Sequence, residues 1–209
     1  MGGVFLLFQA GAFGATTLTV SATVPQAQGI SLGISSIVGT GSSAVWTALP
    51  AGTSALNFNT MVLNTGTSNG TAFSFWAPTN YFAIDIGVTG GVGTPTVNIT
   101  YTEGTNPNGT SNGLGTKTGM AFDYVSTAAG SDTLSAFGRK TLTSLTGTAG
   151  QMPIADIPSG YWERAYVGVC TGNTNAANGQ VDPTGCKTFG NTDAAGTYTG
   201  TLTFTATAL

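Results

Sequence analysis

Cys170 and Cys186 are the residues of this 209-residue chain whose type and spacing most directly suggest chemistry. They are its only cysteines, and a polar stretch, TGNTNAANGQVDPTG, lies between them. A disulfide closing that loop contributes on the order of 3 kcal/mol by restricting the unfolded chain. Zinc is the poorer reading, because two thiols with no histidine and no CxxC spacing leave a tetrahedral ion short of ligands.

Among the eight acidic residues, Asp85, Asp156 and Glu163 are the best candidates for an acid and base pair, since aromatic neighbours can desolvate one of them. The pattern around them argues otherwise. Asp85, in FAIDIGV, falls on the polar phase of an alternating strand, where a solvated carboxylate is expected, and Glu163 with Arg164 reads as a pair on an exposed face. Without histidine, a serine nucleophile needs a lysine base, and Lys117, Lys140 and Lys187 stand in no SxxK motif. The loops 173–182 and 191–193 carry oxygen ligands for calcium but lack the dense DxDxDG series. The expectation is a protein with no catalytic residues, no metal and no cofactor.

Composition narrows the classes further. Thirteen charged side chains are 6% of the chain, against roughly a quarter in an ordinary domain, while 38 threonines and 32 glycines supply much of its polarity. Five basic residues cannot supply the footprint that displaces counterions from phosphates, so nucleic acid is excluded as a partner. A folded chain is expected, because 41% hydrophobic residues suffice for a core at a net charge of only -3.

These residues must be positioned by strands. Alternation runs through 17–24 and again through 201–208, with Leu, Val, Ala and Phe on one phase and Thr or Ser on the other. Further strands are expected at 30–38, 56–63, 72–77, 81–88, 96–102, 120–125, 140–145 and 165–170, each bounded by Gly, Asn, Pro or Ser. Short helical turns are expected only at 131–137 or 154–161. The fold class is therefore all-β, a single antiparallel β-sandwich of the immunoglobulin-like or jelly-roll kind.

The apolar run 4–13 is too short to span a bilayer and matches the core of a signal peptide, although no basic residue precedes it. The expected organisation is a cleaved leader at 1–14, an N-terminal strand at 15–25 and a sandwich at 26–209, exported and with no membrane span after cleavage. The sequons at Asn69, Asn98 and Asn108 are candidate glycosylation sites. Most aromatics read as core, but Tyr161 and Trp162 follow the turn-forming Pro158-Ser159-Gly160 and are the best candidates for contact with a surface glycan.

A terminal strand with one apolar face can complete a neighbour's sheet instead of its own. Thr17, Leu18, Thr19, Val20, Ser21, Ala22, Thr23 and Val24 have that form, and Pro25 ends the strand. If each copy gives a strand and receives one, the contact is head-to-tail and propagates into a fibre; pairing within the same subunit is the other outcome. The leader followed by ATTLTVSATV, the Thr/Asn/Gly-rich body and the closing AGTYTGTLTFTATAL resemble secreted subunits that polymerise by donor-strand exchange. Such proteins include the TasA/camelysin-like biofilm fibres, archaeal bundling pili and threads, and more loosely spore-coat-U-type and fimbrial pilins. The late cysteine pair departs from the usual fimbrial arrangement. The resemblance implies an extracellular homopolymer serving adhesion or biofilm cohesion, with 15–24 as the donated strand. A monomeric secreted carbohydrate-binding or adhesive domain is the alternative.

Overall fold

The computed structural model describes residues 18–23, 30–39, 43–68, 71–88, 96–125, 137–145, 152–154, 162–172 and 182–207. The expected leader at 1–14, Thr17, Val24, Asn69, Asp156, Tyr161 and residues 173–181 lie outside the described residues, as do most of the two segments expected to form helical turns.

The chain is an all-β sandwich. One sheet has the strand order β11 (Met152–Ile154), β8 (Thr96–Glu103), β13 (Tyr198–Thr207), β1 (Leu18–Thr23) and β4 (Ala55–Phe58). The other has the order β10 (Phe137–Thr141), β9 (Thr118–Val125), β12 (Trp162–Val169), β7 (Asn80–Val88), β2 (Ile30–Val38) and β3 (Val45–Ala48). A hairpin of β5 (Val62–Ser68) and β6 (Thr71–Ala77) forms a third, two-stranded sheet.

Alternation in the sequence is realised directly as burial. On β13, Leu202 and Phe204 are buried while Thr201 and Thr203 are half-buried and Thr205 is exposed; on β8, Val97, Ile99 and Tyr101 are buried. From the six-stranded sheet these meet Ile34, Phe82, Ile84, Ile86, Met120, Phe122, Ala165 and Val167 in one core, where Phe58 and Phe82 pack edge to face at 5.2 Å. Each fully buried side chain of this size stabilises by about 1.5–3 kcal/mol before the entropy cost of ordering it.

The sandwich is antiparallel as expected except at one pair, in which β1 runs parallel to β13, with Leu18 opposite Tyr198 and Thr23 opposite Thr203. Three local expectations are corrected. The stretch 56–63 is two strands, since the backbone N–H of Asn59 leaves the ladder to donate to Asn80 Oδ1 at 2.8 Å. The stretch 140–145 is strand only to Thr141, then a 3-10 turn at Leu142–Leu145 that puts both leucines in the core. Among the described residues the one α-helix, α1 (Leu114–Lys117), lies outside both segments expected to form helical turns.

Asp85 and Arg164 are the largest correction to the sequence reading. Both are buried, at 2% and 0% exposure, because the outer face of the six-stranded sheet carries a second cluster of Ile37, Ala83, Ala121 and Tyr166, flanked by Trp46 and Tyr81. Glu163, expected to be exposed, is buried too. Arg164 donates to both Asp85 oxygens, Nε at 2.5 Å and a terminal nitrogen at 3.0 Å, with its guanidinium 4.8 Å from the Trp46 ring centroid. Burial alone would lower the guanidinium pKa, but the hydrogen bonds to Asp85 and that carboxylate's charge outweigh it and hold the group above its ordinary value.

Candidate functional site

The first candidate site is the slot that β1 fills. Its backbone ladder is double-sided: residues 18–23 pair with β13 and residues 18–21 pair antiparallel with β4, Val20 lying across from Leu56. Val20 is completely buried, whereas Thr19 and Ser21 are half-buried on the opposite phase, and Thr19 Oγ1 bonds Asn57 Oδ1 at 3.1 Å. Of the expected donor residues, Leu18 to Thr23 form β1, and they lie in the sheet of their own chain. β1 is not an edge: without it, the facing ladder groups of β13 and β4 lose their partners, a costly state for backbone amides and carbonyls away from water.

The second candidate site lies around the disulfide and α1. Cys170 and Cys186 are bonded, with Cα atoms 6.1 Å apart, as their spacing suggests. The bridge sits beside α1: Cys170 N donates to Lys117 O at 2.8 Å, and Lys187 N donates to Thr116 O at 3.0 Å. Glu103 caps the start of α1, its two carboxylate oxygens accepting from Leu114 N at 2.8 Å and Gly115 N at 3.0 Å.

Lys117 is 3% exposed, although a lysine is rarely buried unless paired. Its Nζ donates to Asp193 Oδ2 and to Thr188 O, each at 2.8 Å, and lies 4.9 Å from the Phe189 ring centroid. Asp193 Oδ1 accepts from Asn108 Nδ2 at 2.8 Å, and Oδ2 also accepts from Gly190 N at 2.7 Å. Asn108 Nδ2 donates again to Asn112 O at 2.9 Å, while Asn108 Oδ1 accepts from Ala194 N at 2.7 Å. With two acceptors on one side and a donor on the other, the orientation of that amide is fixed. Tyr198, packed edge to face on Phe189 at 5.0 Å, donates to Ala194 O at 2.7 Å. Burial, reinforced by the Asp193 charge, pushes its phenol up to about 12 from 10.0, against a smaller opposing hydrogen bond from Asn108. The cluster borders a cleft of about 470 Å³ lined in part by Phe73, Asn112, Cys186 and Lys187.

The remaining predicted residues are dispersed. Asn98 is half-buried on β8, between Pro153 and Thr205, and Asn108 has its amide nitrogen committed within the cluster. The backbone of Trp162 opens β12, opposite Val125. Of the calcium-loop residues, Asp182 accepts from the backbone and hydroxyl of Thr171, and Asp193 belongs to Lys117. Among the described residues, no three His, Cys, Asp or Glu side chains come together as a metal site, and no helix is long and apolar enough to cross a membrane.

The trio of Lys117, Asp193 and Asn108 leaves little trace in the sequence. Lys117 and Asp193 are 76 positions apart, and neither lies in a motif. The one available signal is the scarcity of charge: in a chain with five basic residues, each is worth tracing to a partner. No protein-family model, no curated protein and no solved structure matches this chain.

Proposed function

We propose that this chain is the structural subunit of an extracellular, pilus-like filament that polymerises by exchanging its N-terminal strand with a neighbouring copy, serving adhesion or biofilm cohesion. The observation that carries the reading is the position of β1 between β13 and β4, parallel to the C-terminal strand. Any second copy offers the same slot, so a β1 from a neighbour makes the same hydrogen bonds and buries the same Val20. The two arrangements then differ mainly in which copy supplies β1 and in subunit concentration. A surface with few charges weakens long-range repulsion between copies.

The second reading, a monomeric secreted adhesive or carbohydrate-binding domain, is favoured by the pairing of β1 within its own sheet. Negative-stain microscopy separates the two. The filament reading expects fibres from the mature chain at high concentration, and none after deletion of residues up to Thr23. Fibres that persist after that deletion, or a mature chain that stays monomeric at every concentration, would end it.

A further inference from the structure

We propose that Lys117 and Asn108 are the substrates of an autocatalytic cross-link, an isopeptide bond between Lys117 Nζ and Asn108 Cγ, with Asp193 as the proton shuttle. The two nitrogens that such a reaction exchanges are held on the two oxygens of one carboxylate, Nζ on Oδ2 and Nδ2 on Oδ1, each at 2.8 Å. One side chain is therefore in hydrogen-bond reach of both the nucleophile and the leaving group, the geometric condition for general acid–base catalysis. The carbonyl oxygen of the same amide accepts from Ala194 N at 2.7 Å, a donor placed where negative charge develops when Cγ is attacked. Lys117 is 3% exposed and lies against Phe189, so water competes poorly as nucleophile.

The step balances within the chain. Nζ passes a proton to Asp193 Oδ2, and its lone pair forms a bond to Asn108 Cγ, giving a tetrahedral centre whose oxygen is held by Ala194 N. Nζ then sheds a second proton as the Cγ–Nδ2 bond breaks. Nδ2 departs with both protons as ammonium, one relayed through Asp193, and Asp193 ends as the carboxylate it was. No oxidant, cofactor or external group is required.

The product would fasten the loop after β8 to the end of α1. Asn108 in that loop also accepts a hydrogen bond from Ala194 N, near the start of β13 against which β1 lies. It would also consume one of the three sequons, because a cross-linked Asn108 no longer has the primary carboxamide to which a glycan is attached.

Intact-mass spectrometry of the reduced full chain, with its N-terminus fixed by fragment sequencing, tests the proposal. The expected mass is lower than calculated by one ammonia, with fragments joining Lys117 to Asn108, and the full calculated mass is expected for Asp193→Asn and for Lys117→Arg. A wild-type chain of full mass overturns it whatever the variants do. So does loss of one water, which would place the bond on Asp193, or a cross-link that survives in Asp193→Asn.

Discussion

Replacing Val20 by aspartate puts a carboxylate at a completely buried position of β1, between Leu56 on β4 and the backbone of Gly200 on β13. The apolar burial lost is about 1.5–3 kcal/mol, and desolvating an unpaired carboxylate adds several kcal/mol. A net destabilisation of at least about 4 kcal/mol follows, a large part of the roughly 5–15 kcal/mol that holds a domain folded. At about 2–4 °C per kcal/mol for a chain of this size, the melting temperature falls by roughly 8–16 °C. Ser21→Asp is the matched control. It adds the same charge one residue later, on the half-buried phase opposite Thr201, where a substitution costs about 0.5 kcal/mol. Thermal unfolding followed by circular dichroism reads the difference, and sedimentation of fibres reads its consequence for assembly. Equal melting temperatures for the two variants would refute the placement of β1 in the slot. Fibres from Val20→Asp that match wild type would refute strand exchange, because a donated β1 must bury Val20 as well.

Reducing Cys170–Cys186, 16 positions apart, is expected to cost about 3 kcal/mol, measured as a lower denaturant midpoint in dithiothreitol and absent from a double-serine variant already lacking the bridge. Arg164→Met leaves Asp85 buried without its partner and is expected to cost about 3–5 kcal/mol, whereas Arg164→Met with Asp85→Leu is expected to recover most of that loss in the same unfolding assay. Tyr198 is neutral in the fold with its pKa raised to about 12 from 10.0, so its contribution is complete below about pH 10 and is lost as the pH rises through about 12. Urea unfolding between pH 9 and pH 12 checks this, and Tyr198→Phe is expected to flatten the decline.

How much was legible in the sequence follows from how local each determinant is. The strands β1, β2, β7, β8, β9 and β13 were readable because alternation specifies their backbone and one buried face residue by residue. The break between β4 and β5 was not, since it depends on the Asn80 side chain capturing the Asn59 backbone from another strand. Asp85 was misread for a related reason. Its phase on β7 was correct, but whether that face meets water depends on Trp46 and Tyr166, which arrive from β3 and β12.

The sequence by itself determined the β class, the faces of the principal strands and the pairing of the only two cysteines, because composition and period are properties of neighbouring residues. Tertiary structure alone decided that β1 lies parallel to β13 between it and β4, and that Lys117 and Asn108 share the Asp193 carboxylate. Those facts rest on contacts between positions up to about 180 residues apart, whose energies arise only once the sheets have closed on each other.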